Sequence, residues 1–143
     1  MRKVAAVLAR KGRNAISVNP QTSVYEALEI MEQHNIGSVI VLDKGEYAGI
    51  VTERDYSRKV MLKGKSSTET PVSEIMSSDL PHVSPDDSIE TCMSLMTSNN
   101  IRYLPVFDNA RLAGIISMSD VVKETILAQR ETISQLESYI HSV

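Results

Sequence analysis

Two short segments of the chain pair a hydroxyl with a carboxylate at the same spacing. Thr52 is followed three residues later by Asp55, and Ser117 is followed three residues later by Asp120. At a helix start, such a hydroxyl accepts a backbone hydrogen bond and the acidic side chain bonds back to the cap. The same helix start offers free N–H groups to a phosphate, and the carboxylate can accept the hydroxyls of a ribose. The residues therefore permit two interpretations, a capping box and a ligand site.

Each pair ends a seven-residue phrase, GIVTERD from Gly49 and GIISMSD from Gly114. A glycine at a strand end admits close approach by another chain segment or a ligand, because it has no Cβ. The phrases belong to a longer repeat. When residues 18–62 are laid over residues 83–127 without a gap, 13 of the 45 positions are identical, whereas chance at average composition gives about three. The chain is a tandem duplication.

The elements that must position these pairs recur in each half. Apolar residues at i, i+3, i+4 and i+7 predict one amphipathic helix per half. The two stripes are Val24, Ala27, Leu28 and Met31, and Ile89, Cys92, Met93 and Met96. Short extended stretches at 16–18 and 82–83 precede them, because a residue before proline is pushed out of the helical region. The predicted strands are 38–42 and 48–51 in the first half and 103–107 and 113–116 in the second. A further helix covers 53–62, and its counterpart begins at 118.

These elements predict an α+β fold, a tandem pair of β-α-β-β-α repeats packed with pseudo-twofold symmetry. Neither repeat is large enough to close a core alone. We divide the chain into residues 1–66, the N-terminal helix and first repeat, and residues 67–143, the second repeat with a C-terminal helical tail.

Composition narrows the classes of function. The chain has 143 residues and a net charge of -3, which argues against a general binder of nucleic acids or anionic membranes. Its single cysteine excludes an intrachain disulfide, and no apolar stretch reaches membrane-spanning length. We expect a cytoplasmic protein.

The apparent signals of an enzyme are weak. Gly64-Lys65-Ser66 ends like a phosphate-binding loop, but the glycine required five positions earlier is Lys59 and the segment follows a helix. The three histidines lack metal-ligand spacing, and Cys92 lies on an apolar helix stripe. We therefore predict no enzyme activity, no catalytic residue, no metal site and no required cofactor.

The two ends of the chain carry features of their own. Basic residues precede the first acidic residue, Glu26: Arg2, Lys3, Arg10, Lys11 and Arg13. They fit a solvated helix face, contact with a ligand phosphate, or contact with nucleic acid. The last helix has an apolar stripe formed by Ile126, Ile133, Leu136, Ile140 and Val143. Such a stripe needs a cover, either its own chain or a second copy, and we predict a homodimer.

Over residues 15–127 the chain resembles the CBS-domain pair, also called the Bateman module. The resemblance rests on the duplicated glycine-to-aspartate phrase, on the segments HNIGSVIVLD and NNIRYLPVFD, and on VSEIMSSDLPHVSP at the start of the second repeat. The chain is similar to the stand-alone prokaryotic members. The resemblance implies a regulatory or sensor module that binds AMP, ATP, NAD or a related adenosine ligand in clefts between the repeats and acts on an unidentified regulated protein.

The resemblance also implies which residues form the two clefts. The first would join the pair Ser117 and Asp120 with Ile16, Ile36, Gly37, Ser38, Arg102, Tyr103 and Leu104. The second would join Thr52 and Asp55 with Pro81 or His82 and the same central segments. The apolar members would hold the adenine ring. As plain strand residues, Ile36 and Leu104 are expected to be buried with or without a ligand.

The two helix starts differ in charge. Arg54 and Arg58 follow Thr52, whereas Ser119 and Lys123 occupy the matching positions of the second repeat. We expect the Thr52 cleft to favour the more highly charged ligand, with Arg102 as a further candidate phosphate ligand. A solvated helix face is the competing interpretation. The rivals to the sensor as a whole are a dimerisation module with empty clefts, an undetected enzyme and a nucleic-acid-associated regulator that uses the basic N-terminus.

Overall fold

Helices and strands alternate along the chain in the order that the repeat predicts, and the α+β class is confirmed. The computed structural model describes residues 2–12 and 15–142. The first half contains β1 (Ser17–Val18), α2 (Val24–His34), β2 (Ser38–Asp43), β3 (Glu46–Thr52) and α3 (Glu53–Tyr56), and α1 (Val4–Lys11) precedes it. The second half contains α4 (Ile89–Asn99), β4 (Tyr103–Asp108), β5 (Arg111–Ser117) and α5 (Met118–Ser142).

The sheets position the two hydroxyl–carboxylate pairs. In the first half, β1 runs parallel to β2, and β2 pairs with β3 in antiparallel register, so that Ser38 lies opposite Thr52. In the second half, β4 and β5 are antiparallel and Tyr103 lies opposite Ser117. Each pair therefore stands at the point where a strand passes directly into a helix.

The two predicted amphipathic helices share their boundary chemistry. The hydroxyls of Ser23 and Ser88 each accept a hydrogen bond of 3.1 Å from a backbone N–H of the first turn. Asn35 and Asn100 end the helices in the left-handed conformation, which asparagine adopts more readily than most residues. The predicted stripes are buried at three of their four positions, while Leu28 is half-buried and Met93 exposed at the edges.

The chain divides into two units, whose boundaries differ from the division at residue 66. One unit combines residues 1–13 with 81–143, and the other spans 14–80. The helix that we assigned to the first repeat, α1, thus packs with the second. Residues 67–80, which we assigned to the second repeat, pack with the first.

Apolar side chains explain this exchange of segments. Val4, Val7 and Leu8 of α1 are buried in the core of the second repeat, whereas Val72 and Ile75 are buried in the core of the first. The backbone contacts correspond as well. The Val24 N–H donates to the Thr70 carbonyl at 2.9 Å, and its counterpart in the repeat, the Ile89 N–H, donates to the Arg2 carbonyl at 3.0 Å. Each repeat is completed by the segment that precedes the other repeat in sequence.

The close approach expected at Gly49 is made by the protein's own chain. Ile50 and Ser77 exchange backbone hydrogen bonds of 3.0 and 2.9 Å. A Cβ on Gly49 would lie 2.7 Å from the Ser77 carbonyl oxygen, closer than van der Waals contact allows. Glycine is therefore required at this position by the packing of the exchanged segment.

Two predicted elements differ from the structure. The helix predicted over 53–62 is α-helical only in α3 and continues as a π-helical turn at Ser57–Met61. Hydrophobic spacing predicts a helix but does not distinguish the α-helical from the π-helical hydrogen-bond pattern. Within this turn, Lys59 donates to the carbonyl of Ile75, a residue outside the predicted helix, at 2.8 Å.

The extended stretch at 82–83 is reduced to a single parallel bridge between Val83 and Val106. Pro81 and Pro85 flank it, and proline has no N–H to donate to a strand ladder.

Candidate functional site

The first helix start forms a complete capping box. The Asp55 N–H donates to the Thr52 hydroxyl at 3.0 Å, and Oδ2 of Asp55 accepts the Thr52 backbone N–H at 2.9 Å. The other carboxylate oxygen, Oδ1, lies 3.0 Å from the Lys59 ammonium. Both oxygens of this buried carboxylate are therefore engaged by groups of its own helix.

The second helix start has the same box but a different source of positive charge. The Asp120 N–H donates to the Ser117 hydroxyl at 3.1 Å, and Oδ2 of Asp120 accepts the Ser117 N–H at 2.8 Å. The repeat places Glu124 where the first half has Lys59. Because α5 supplies no cation at this position, Asp120 pairs with Lys11 of α1, at 2.7 Å. Lys11 also donates to the Ile115 carbonyl at 3.0 Å.

Glu124 is the centre of the contact between α1 and α5. Its side chain is 0% exposed and forms ion pairs with Arg2, at 3.0 Å, and with Arg10. Burial alone would raise the pKa of Glu124, but hydrogen bonds and attraction from the two guanidinium groups lower it below its ordinary value. The carboxylate is therefore ionised at neutral pH.

Asp120 is held in the same state. Its partial burial would raise its pKa, and the Lys11 ammonium together with the Ser117 N–H outweighs that effect and lowers it. An ionised carboxylate that keeps some exposure can accept hydrogen bonds from the hydroxyl groups of a ligand.

The structure brings several other predicted residues to the two helix starts. The Gly37 carbonyl accepts the Glu53 N–H at 3.1 Å, and the Arg102 carbonyl accepts the Met118 N–H at 2.8 Å. Ser38 and Tyr103 are the strand partners of Thr52 and Ser117. The wider residue sets implied for the two clefts stay predictions.

The remaining predicted residues lie elsewhere in their units. The Ile16 carbonyl accepts the Ile40 N–H in the 14–80 unit. In the other unit, Pro81 is half-buried and the His82 ring meets Phe107 edge-on at 5.3 Å.

The expectation of burial is confirmed for one of the two apolar residues and wrong for the other. Leu104 is fully buried, whereas Ile36 is 37% exposed. Ile36 follows the left-handed Asn35 and lies two residues before Ser38, the first residue of β2, so it is outside the strand core.

The distribution of cationic residues around the two helix starts differs from the one expected by comparing the two repeats. Arg54 is half-buried and Arg58 and Arg102 are exposed. At the second helix start, α1 adds Lys11 and Arg10, which the comparison of the repeats left out. No local pattern links Lys11 to Asp120 or Arg10 to Glu124, because these pairings span 109 and 114 residues of sequence.

The N-terminal basic residues are largely neutralised by α5. Arg2, Arg10 and Lys11 form ion pairs with its carboxylates, while Lys3 is exposed. Arg13 lies outside the described residues.

The apolar stripe of α5 lies on the surface beyond its first turns. Ile133, Leu136 and Ile140 are 55%, 57% and 68% exposed, and Val143 lies outside the described residues. The first turns of α5 pack against α4 and form ion pairs with α1. After Ala128, every side chain of α5 that the structure describes is exposed, so the described residues leave this apolar face uncovered.

The described residues give little support for a metal site, a reactive thiol or a membrane-spanning helix. Within residues 2–12 and 15–142, no cluster of three or more His, Cys, Asp or Glu side chains is suited to hold a metal ion. Burial, aided by Asp87, raises the pKa of the Cys92 thiol to about 11, so the thiol stays protonated at neutral pH. Among the described helices, none combines the length and the apolar character needed to cross a membrane.

Comparisons with known proteins agree on one family. The family model of the CBS domain matches residues 5–61 and 72–126. The chain is 37% identical to the mitochondrial CBS domain-containing protein CBSX3 of Arabidopsis thaliana over 96% of this chain and 71% of the relative.

Solved structures show the same likeness. A protein with CBS domains from Burkholderia ambifaria MC40-6 is 43% identical, with a TM-score of 0.86 over 90% of this chain and 96% of that one. The CBS domain pair of protein MJ0100, solved with 5-methylthioadenosine and S-adenosyl-L-methionine, shares the fold at 24% identity, with a TM-score of 0.76 over 87% of this chain and 96% of that one.

The lowered pKa values of Asp120 and Glu124 predict a loss of stability in acid. A carboxyl group whose pKa is lower in the folded than in the unfolded protein stabilises the fold above its unfolded pKa, near 4. That contribution disappears as the pH falls through the folded value. We expect urea unfolding at constant ionic strength to show steady stability from about pH 7 to 5 and a decline below about pH 4.5.

Glu124→Gln is the matching variant. It should be less stable than the wild type at pH 7 by about 1 to 3 kcal/mol, because Arg2 and Arg10 lose a charged acceptor. The difference should narrow below pH 4. A constant difference across the whole pH range would contradict the assignment of the acid transition to this carboxylate.

Proposed function

The chain belongs to the CBS-domain family, and from that premise we propose that it is a regulatory module that binds an adenosine ligand, AMP, ATP or NAD, without catalysing a reaction. CBS-domain pairs are regulatory modules. The proposal assigns the ligand contacts to the two helix starts, Thr52/Asp55 and Ser117/Asp120, and to the strand residues beside them.

The observation that carries the proposal is the ionised, partly exposed Asp120 at a strand-to-helix junction. Its Oδ2 is used by the cap and by Lys11, and among the described residues none donates to its Oδ1. A ribose has two adjacent hydroxyl donors that suit such an acceptor. The first turn of α5 adds backbone N–H groups and a partial positive charge for a phosphate.

The adenosine moiety is favoured by the ligands of a related fold. The two compounds in the MJ0100 structure share adenosine and differ in the group attached to it. Within each unit, a carboxylate for the ribose and strand backbone groups for the adenine suit that shared part: residues 37–39 accompany Asp55, and residues 103–104 accompany Asp120. Charged residues near each helix start would then select the attached group.

We also propose that the protein acts as a homodimer, with the apolar face of α5 against a second copy. The face comprises Ile133, Leu136 and Ile140, which recur at the spacing of a coiled-coil seam.

The ribose contact predicts that Asp120→Ala weakens adenosine-ligand binding by about 1.5 to 3 kcal/mol, the usual loss for a hydrogen bond to a charged group. That loss is about 10-fold to 150-fold in Kd. Titration calorimetry with AMP, ATP and NAD measures it.

Asp87→Ala is the matched control, because Asp87 accepts the Ser84 N–H at 2.7 Å in the same unit but away from the helix start. Unchanged affinity in both Asp55→Ala and Asp120→Ala would leave only the capping role. If the wild type binds none of the three ligands, the dimerisation module is favoured. Chemical turnover of a ligand would support the enzyme interpretation.

The dimer predicts that truncation after Gln129 weakens self-association, because it removes the exposed apolar residues of α5. Sedimentation equilibrium should show an increase in the dimer dissociation constant of at least about 100-fold, as expected for the loss of two or more buried Leu or Ile side chains per chain. The full-length triple variant Ile133→Ser, Leu136→Ser, Ile140→Ser should reproduce it. A dimer that survives both changes would show that other surfaces join the copies.

A further inference from the structure

A cavity of about 430 Å³ lies between α1 and α5. Its apolar wall is formed by Val7, Ile126 and Leu127. Its polar groups are cationic with a single exception: Arg10, Lys11, Lys123, Arg130 and Asp120. We call this cavity the α1–α5 groove. It begins at the carboxylate to which the proposed function assigns the ribose.

The charges of the groove are unevenly compensated. Arg10 is paired with Glu124 and Lys11 with Asp120. Lys123 and Arg130 are exposed, and neither forms an ion pair with another described residue. Among the described residues, Lys123 and Arg130 are therefore cations of the groove without a carboxylate partner. They line the same cavity as Arg10 and Lys11, which have one.

The spacing along α5 aligns these groups. Asp120, Lys123, Leu127 and Arg130 follow one another at intervals of three or four residues, so they share one helix face. With a rise of about 1.5 Å per residue, Lys123 lies about 4.5 Å and Arg130 about 15 Å along the axis from Asp120. Helical side chains lean toward the N-terminus, so the Arg130 guanidinium reaches back over the turn that carries Leu127.

We propose that the α1–α5 groove binds the phosphate chain of a nucleoside di- or triphosphate, an inference that rests on the proposed binding of the nucleoside at Asp120. The ribose contacts the carboxylate, and the phosphates extend along α5 toward Lys123 and Arg130. Lys11, which already contacts Asp120, lies where the ribose and the first phosphate meet. The second half of the chain, rather than the Arg54 and Arg58 side, then prefers the more highly charged ligand.

The dimensions of the groove favour this ligand over a nucleic acid. The groove is closed on one side by α1 and has room for a short phosphate chain. A nucleic acid requires an extended basic surface, whereas the protein carries a net charge of -3 and three of its N-terminal cations are held by α5 carboxylates.

Titration calorimetry on the full chain tests the proposal with adenosine, AMP, ATP and inorganic tripolyphosphate. The variant is Lys123→Ala with Arg130→Ala; both side chains are exposed, so the fold should be retained. The control is Lys63→Ala with Arg111→Ala, which removes the same charge from exposed positions outside the groove. We expect the groove variant to lose about 10-fold to 100-fold in affinity for ATP, less than about 3-fold for AMP, and none for adenosine.

The outcomes separate this proposal from the proposed function. If the wild type binds ATP and the groove variant keeps that affinity, or loses no more than the control, the groove inference is overturned and the nucleotide site stands. If adenosine, AMP and ATP, together with the NAD titrated for the proposed function, all fail to bind, the proposed function is wrong. Tripolyphosphate then tests the phosphate site of the groove without the nucleoside. Binding that the groove variant loses and the control variant keeps supports the phosphate site, whereas the absence of tripolyphosphate binding to the wild type overturns the groove inference.

Discussion

A carboxylate with no access to water stays ionised only beside cations that compensate its charge, and in this protein that carboxylate is Glu124. The groups that neutralise it, Arg2 and Arg10, come from the other end of the sequence. Arg10 belongs to α1 and Arg2 lies just before it, and α1 also fills the core of the second repeat with Val4, Val7 and Leu8. The ion pairs and the apolar contacts act together, because each would leave buried groups without partners if α1 were removed.

The same exchange occurs in the first repeat by simpler means. Val72 and Ile75 complete its core, and Lys59 both pairs with Asp55 and donates to the Ile75 carbonyl. The substitution of Glu124 for Lys59 between the repeats thus changes where the positive charge comes from. In the first repeat the carboxylate at the helix start is served by its own helix. In the second it depends on α1, which also creates the α1–α5 groove and makes the two helix starts unequal.

Local features of the fold could be predicted from the sequence because short-range chemistry determines them. The stripes of α2 and α4, the strand pairs and the capping residues depend on neighbours within about seven positions. The duplication then fixed the order of the elements, and paired motifs marked both helix starts. The capping geometry of Thr52 and Ser117 follows from the same local pattern.

Contacts between distant parts of the chain could not be predicted in this way. The pairing of Lys11 with Asp120 has no local signature, since a lysine on a basic helix is usually solvated. The placement of α1 with the second repeat depends on the fit of Val4 and Val7 into a core that is specified elsewhere in the sequence. The π-helical turn after α3 and the exposure of Ile36 likewise depend on tertiary packing and backbone geometry rather than on periodicity.

The central claim is that each repeat is completed by the segment that precedes the other. Hydrogen exchange on two full-length cavity variants, Val7→Ala and Ile75→Ala, tests it most directly, because both side chains are buried and each should loosen only the core that it fills. We predict faster exchange within residues 89–121 for Val7→Ala and within residues 24–61 for Ile75→Ala. Faster exchange in residues 24–61 alone on Val7→Ala would contradict the account.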